Sequence, residues 1–371
     1  MSKKINILQF ICPTGIYGAE MWIIALAKRL DAGKLTCQLA VTKDSPNQNL
    51  EICERIRTLG FPTHIIPMQG KFDPWAIKEL VKLIKAQNID IIHTHGYKSD
   101  LIGLIAAKIA GIKIIATPHG FENSNDKKLQ FYIKLGLVAL KFCNSIAPLS
   151  NDIQQELLNN YISPDRIRLI YNGVDLEEIE AITKPDQKDE SDDKLIGYVG
   201  QISLRKNVID IIKAFDLLYR SHQNIRLKLV GDGPQREHLE RFIIGLDSKQ
   251  KIEFTGYRKD RLDILKTFDL FTMTSTLEGI PRAMMEAMAL GVPVAAFDIP
   301  GVDTLITHEA TGMLAPYGNV SVLRDHWKKI LFDEQFSKQL AVRAKKKIYQ
   351  KFSNQRMAEE YLTLYKAVLN R

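Results

Sequence analysis

Residues 274–300 read TSTLEGIPRAMMEAMALGVPVAAFDIP. A polar loop, a helix, a turn and an apolar strand follow one another without a gap. Pro281 suits a first helical turn, where a missing N–H is no loss, and the helix is predicted over 281–290. Gly291 stops it as a C-cap does. The apolar run 292–297 then reads as a buried strand. Loop, helix and strand in this order are one unit of a βα repeat.

The same rhythm runs outward in both directions. A strand over 5–12 leads through the loop Pro13-Thr14-Gly15-Ile16-Tyr17-Gly18 into a helix over 19–30, with Met21, Ile24, Ala25 and Leu26 on one apolar face. Strands are predicted over 35–42, 64–67, 89–93, 113–117, 145–149 and 166–171. Helices fall at 49–59, 74–87, 99–110, 125–142 and 151–160. The polar run KPDQKDESDDK at 184–194 reads as an exposed linker. Beyond it the strands 195–199, 226–230, 252–255 and 270–273 alternate with helices, and helices over 320–332, 334–352 and 355–369 close the chain. Such alternation gives parallel, doubly wound sheets, with ligands beyond the carboxyl ends of the strands. The expected fold class is therefore α/β.

A chain of 371 residues is too long for one ordinary core and suggests two domains of similar size. Its 45% hydrophobic and 25% charged content is that of a globular protein, and no apolar run approaches the ~18 residues of a membrane span. The net charge of +8 is spread over both halves, so no concentrated nucleic-acid tail is expected. It fits anionic substrates or an anionic membrane surface. Cys12, Cys37, Cys53 and Cys143 stand far apart in apolar contexts, and the start MSKKINILQFIC lacks a signal-peptide core. Both features point to the cytoplasm. The helix over 125–142 interleaves lysines with large apolar residues, as a helix lying on an anionic membrane does; a half-buried helix has the same pattern.

Candidate site residues cluster at loop starts. Glu278 precedes the 281–290 helix and Glu286 lies about one turn inside it, with the helix-start N–H groups between them. One acid can hold sugar hydroxyls, the other a ribose diol, and the N–H groups a phosphate. Alone, the two glutamates would read as surface residues. Adjacent Arg205 and Lys206, at the mouth of another strand–loop–helix unit, suit a diphosphate. Gly231-Asp232-Gly233-Pro234 is not a dinucleotide fingerprint, because Arg236 stands where its third glycine belongs. His93 and His95 share a strand face but have no further ligand at a supporting spacing, so a metal is not expected. His119, at another strand end, suits a substrate hydroxyl better.

With these residues in place, the chain resembles the retaining glycosyltransferases of family 4. The match is carried by Glu278 and Glu286 inside EGIPRAMMEAMALGVPV, the family's E-x7-E motif. GAEMWIIALAKRL, HTHGYKSDLIG, IRLIYNGVDL, VGDGP and ATGMLAPYGN support it in order and spacing. The resemblance implies the GT-B fold, two Rossmann-like doubly wound parallel-sheet domains facing a central cleft. It places an acceptor-side domain at 1–180, a linker at 181–194 and a nucleotide-sugar domain at 195–352. A last helix over 353–371 would pack back on the first domain.

The resemblance also implies roles. Glu278 would hold donor-sugar hydroxyls and Glu286 the nucleotide ribose. Gly279, Ile280, Pro281 and Arg282, with Arg205 and Lys206, would bind the diphosphate, and Tyr257 the nucleobase. Gly15 and Gly18 would line the donor site from the first domain, where His119 would face the sugar. Glu278, His119, Lys206 and Arg205 would carry catalysis. Many members have arginine directly after the strand glycine; here Gln201 stands there, and its role is open. The implied partners are a UDP- or GDP-sugar and a glycan or lipid-linked acceptor in cell-surface polysaccharide, lipopolysaccharide or glycolipid synthesis. No cofactor is implied, and no Asp-x-Asp metal signature occurs. A nucleotide-sugar 2-epimerase is the rival enzyme, with His95, His119 and Glu122 available for acid–base work. A two-lobed sugar-binding protein is the non-enzymatic rival, but it needs no E-x7-E unit.

Overall fold

Strands such as INILQFI and KLIGYV are apolar on both faces, which suits parallel sheets covered by helices on each side. The computed structural model describes residues 4–13, 15, 18–70, 73–120, 127–182 and 192–370. Glu122 and most of the 184–194 run lie outside the described residues. Two units result, residues 1–173 with 354–371 and residues 174–353.

The first unit opens with β1 (Ile5–Ile11), α1 (Gly18–Ala27), β2 (Leu35–Lys43), α2 (Glu51–Thr58), β3 (Thr63–Pro67) and α3 (Pro74–Ala86). It continues with β4 (Ile91–His95), α4 (Tyr97–Ala110), β5 (Lys113–Thr117), α5 (Lys127–Leu140), β6 (Ser145–Ile146) and α6 (Asn151–Asn159). The second unit begins with α7 (Leu176–Glu180), β7 (Lys194–Val199), α8 (Val208–Tyr219), β8 (Ile225–Val230), α9 (Arg236–Phe242) and β9 (Ile252–Gly256). Next come α10 (Arg261–Lys266), β10 (Leu270–Met273), α11 (Arg282–Leu290), β11 (Val294–Asp298) and α12 (Val302–Leu305). It ends with β12 (Met313–Pro316), α13 (Val320–Phe332) and α14 (Glu334–Lys351). The last helix, α15 (Asn354–Leu369), belongs to the first unit.

Both sheets are parallel throughout and have the same order, β3-β2-β1-β4-β5-β6 and β12-β11-β10-β7-β8-β9. Each is thus the expected doubly wound, Rossmann-like sheet. In each, the strand order reverses between the first strand and the fourth. Loops leaving such a pair diverge to opposite faces and open a crevice for ligands.

Several local expectations need correction. Residues 166–171 form no strand: a short 3-10 turn at Pro164–Arg166 is followed by a single bridge from Ile167 to Ile146. β6 is only two residues long, so there is no ladder to extend. β12 and α7 were not anticipated. α7 packs on α11, so the division by contacts falls before α7 rather than after residue 180.

The first core contains an unusual number of polar side chains. His93 and His95 stand on one face of β4, and α15 brings Tyr361 and Tyr365 against them, all four buried. His93 pairs with the Tyr365 hydroxyl at 2.9 Å and with Thr117 Oγ1 at 2.8 Å. Thr117 Oγ1 is in turn 3.0 Å from the Tyr361 hydroxyl. Burial, with His119 adding to it, pushes His93 down to about 3. Burial takes His119 to about 3 as well, and burial with His93 and His119 drives His95 well below the usual imidazole range.

These rings stay neutral in the fold but bind protons at about pH 6.5 once unfolded. The unfolded state therefore takes up more protons below that pH. The contribution is full above about pH 6.5 and is lost as pH falls toward about 3. The thermal unfolding midpoint should drop steadily from pH 6.5 to 4.5, each ring contributing at most about 1.4 kcal/mol per pH unit. A midpoint that holds or rises over this interval contradicts a neutral cluster.

Candidate active site

β7 and β10 are the neighbours at the switch point of the second sheet, and their outgoing loops carry most of the candidate residues. The loop after β7 ends in a tight 3-10 turn, Leu204–Lys206, and Asn207 takes a left-handed conformation at φ 47°. That turn is pinned to the loop after β10. Thr276 N–H donates to the Arg205 carbonyl at 2.8 Å, and Thr274 Oγ1 to the Asn207 carbonyl at 2.8 Å.

This pinning brings the expected charges together. Lys206 Nζ donates to Glu278 Oε1 at 2.5 Å, and Arg205 Nη1 lies 3.5 Å from Oε2 while donating to the Leu277 carbonyl at 2.8 Å. The Glu278 side chain is only 8% exposed. A carboxylate so nearly buried is tolerated because both its oxygens face cations. Two cations against one carboxylate leave local positive charge in excess. Tyr198, buried at the end of β7, has its phenol pushed up by burial and then by the Glu278 charge; its hydroxyl donates to the Gln201 carbonyl at 2.9 Å. Gln201 thus has a structural part through its backbone.

Glu286 lies one turn into α11 and is buried. Arg261 Nη2 and Arg282 Nε donate to the same oxygen, Oε1, at 2.6 and 2.7 Å. Oε2 stands outside both bonds. Burial works against the Arg282 charge, but Glu286, Glu178 and Asp175 outweigh it and hold this guanidinium more firmly protonated than usual.

Pro281 is not the first helical residue. It is the N-cap, with extended backbone at ψ 112°, and α11 starts at Arg282. Lacking an N–H, Pro281 has none to offer a ligand. Among the described residues no side chain caps this helix, and Met285 N–H makes the first bond, to the Pro281 carbonyl at 3.1 Å. The first-turn N–H groups of α11 are left for an anion, and the helix dipole favours one there.

Two glycines let the loops approach so closely. At Gly301, φ 82°, an added Cβ would sit 1.6 Å from the Gly279 carbonyl oxygen. At Gly231, φ 140°, it would sit 1.8 Å from the Gly200 carbonyl oxygen. The GDGP segment therefore braces the β7 loop rather than binding a dinucleotide. Gly301 was not singled out from the sequence, although Pro300-Gly301 is a turn signal. Arg261 was also missed, since nothing local marks the first residue of a short helix as a partner for a distant glutamate.

The remaining candidates lie elsewhere. Tyr257, 71% exposed, follows the edge strand β9, separated from β10 by β7 and β8 in the sheet. In the first unit, Gly15 is buried and Gly18 opens α1. His119 follows β5, with Nε2 at 3.2 Å from His95 Nδ1. His93 and His95 are taken up by hydrogen bonds within the core, and among the described residues no group of three or more His, Cys, Asp or Glu is placed to hold a metal ion.

Residues 180–347 match the family model for glycosyl transferases group 1, and residues 16–178 that for Glycosyltransferase Family 4. The chain belongs to glycosyltransferase family 4. It is a group 1 glycosyltransferase acting on nucleotide-sugar donors, built on the GT-B fold. The Escherichia coli UDP-Gal:alpha-D-GlcNAc-diphosphoundecaprenol alpha-1,3-galactosyltransferase is 30% identical over 266 residues, 67% of this chain and 68% of that one. The Bacillus anthracis N-acetyl-alpha-D-glucosaminyl L-malate synthase is 24% identical over 310 residues, 80% of each. The crystal structure of Anabaena HepE in complex with UDP shares the fold, with a TM-score of 0.84 at 20% identity over 98% of this chain and 100% of that one.

If Gly301 braces the loop at 278–280, Gly301→Ala should displace those residues and weaken UDP binding about tenfold or more, roughly 1.4 kcal/mol. Gly318→Ala is the matched control, because Gly318 is also left-handed at φ 75° but an added Cβ there meets nothing within 4 Å. Calorimetric titration of both variants checks this. Equal affinities contradict the bracing role.

Proposed function

We propose that this glycosyltransferase moves a sugar from a UDP- or GDP-sugar to a glycan or lipid-linked acceptor, with retention of the anomeric configuration, in cell-surface polysaccharide or glycolipid synthesis. The observation that carries it is the uncapped start of α11 between Glu278 and Glu286, with Lys206 bonded to Glu278 at 2.5 Å. In this reading Glu278 holds hydroxyls of the donor sugar, and Glu286 Oε2 the ribose diol. The diphosphate lies on the first-turn N–H groups of α11, with Arg205 and Lys206 beside it. Tyr257 stacks on the nucleobase. Gly15, Gly18 and His119 take the donor-sugar roles that the family resemblance gives them, His119 by a hydrogen bond to a hydroxyl. UDP-galactose and a diphosphoundecaprenol acceptor in the name of the Escherichia coli relative, and UDP in the HepE complex, favour a uridine donor and a lipid-linked acceptor.

The reaction breaks the bond from the anomeric carbon to the diphosphate oxygen and forms one to the acceptor oxygen on the same face. The acceptor proton passes to the departing diphosphate. Negative charge grows on that diphosphate, so cations and N–H groups already in place there speed the step. Because Lys206 and Arg205 begin on Glu278, the arriving diphosphate competes for them. Lys206 then bridges carboxylate and phosphate, coupling sugar position to leaving-group charge.

Lys206→Ala and Glu286→Ala should each weaken UDP or GDP binding at least tenfold by calorimetry, roughly 1.4 kcal/mol. Glu278→Ala should lower turnover by about 10²–10³, the range for loss of one transition-state contact. Wild-type affinity in the first two variants, or wild-type turnover in the third, removes that residue from the site. Conversion of a nucleotide sugar to a second one without acceptor would favour the epimerase instead.

The first unit also suits peripheral contact with an anionic membrane. Phe131, Val138 and Phe142, on or just after α5, are exposed beside exposed Lys134 and Lys141. Among the described residues, no helix is long and apolar enough to cross a membrane. Flotation should show the protein rising with phosphatidylglycerol vesicles and losing that binding in a Phe131→Ser/Phe142→Ser variant. Failure of the wild type to rise disposes of the contact.

A further inference from the structure

The polar cluster of the first core has a direction. Gln9 on β1, 1% exposed, stands at its centre. Its Nε2 donates to the Tyr365 hydroxyl at 3.2 Å, and its Oε1 lies 2.7 Å from His95 Nε2. The Cys37 sulfur says which way round the amide sits. That thiol donates to the Gln38 carbonyl at 4.0 Å, so toward Gln9, which also bonds it, the sulfur offers a lone pair. Only the amide nitrogen, with its second hydrogen, suits that place.

The remaining protons follow in sequence. Gln9 Oε1 accepts, so His95 Nε2 must carry a hydrogen. A buried neutral imidazole has one N–H, which leaves His95 Nδ1 bare. Its neighbour at 3.2 Å is His119 Nε2, which must then donate. Trp22 closes the cluster with ring centroids 5.0 Å from His95 and 5.7 Å from His93 and from His119.

We infer that Gln9 is a positioning residue that fixes His119 as the Nε2–H tautomer and so presents His119 Nδ1 as a hydrogen-bond acceptor for a sugar hydroxyl. The contact with a sugar rests on the proposed role of His119; the tautomer does not. The amide of Gln9 thereby acts two residues away, through His95, on the ring that meets substrate. Turned over, the same amide would reverse every hydrogen bond in the chain and make His119 a donor instead.

Histidine-ring 15N NMR of the ligand-free full chain at neutral pH reads these tautomers directly. Wild type should show His95 and His119 with a protonated Nε2 and a bare Nδ1. In Gln9→Glu, the carboxylate draws a second proton to His95, whose Nδ1–H then donates to His119; the His119 signals should switch to the Nδ1–H pattern. Tyr365→Phe removes the hydroxyl but leaves Gln9 Oε1 and Cys37, and should keep the wild-type pattern. An Nδ1–H form of either ring in the wild type overturns the inference, whether or not Gln9→Glu folds. So does a folded Gln9→Glu in which His119 keeps Nε2–H, or a switch in Tyr365→Phe as well. The spectrum needs no sugar, so failure of the proposed transfer reaction is read separately, from turnover.

Discussion

Lys206 and Glu278 meet at 2.5 Å across the gap between two loops that leave neighbouring parallel strands in opposite directions. That divergence is inherent to a doubly wound sheet, and without cross-links the loops would stand apart. Here they are tied together by the Lys206–Glu278 pair, by Arg205 on the Leu277 carbonyl, by Thr276 N–H on the Arg205 carbonyl and by Thr274 on the Asn207 carbonyl. An ion pair this poorly exposed contributes little net stability on its own, because desolvation offsets its attraction. Its effect is geometric: it holds a carboxylate and two cations within reach of an uncapped helix start. The glycines at 231 and 301 permit that geometry by removing the atoms that would push the loops apart.

The two units use the same topology for different chemistry. In the second unit the switch point gathers full charges, suited to an anion. In the first, the loops and strand ends at the equivalent strands gather neutral imidazoles, hydroxyls and an amide, nearly all buried. Burial strips the histidines of charge and leaves direction of hydrogen bonding as the property that matters. Because α15 supplies Tyr361 and Tyr365, the last segment of the chain shapes a core begun by the first strand.

Much of this was legible from residue order. The alternation of strand and helix segments announced parallel sheets, and E-x7-E with its supporting segments announced the family. Gly291 ends α11 in a left-handed conformation at φ 80°, as its place after the last helical residue implies. What the order of residues hid was whatever depends on contacts between distant segments. Arg261 meets Glu286 only because α10 packs on α11, and Gln9 meets Tyr365 only because α15 returns to the first unit. The 166–171 run looks like a strand by composition, yet its partner β6 is too short to hold it. Pro281 misled by one position, since an N-cap and a first helical residue both tolerate its ring.

The central claim is that a nucleotide diphosphate lies on the start of α11 between the two glutamates. A crystal structure of the protein with UDP tests it most directly. The diphosphate should lie within hydrogen-bond distance of the first-turn N–H groups of α11 and of Lys206, with the ribose hydroxyls on Glu286. A nucleotide bound elsewhere, with the Lys206–Glu278 pair undisturbed and the α11 start empty, would contradict it.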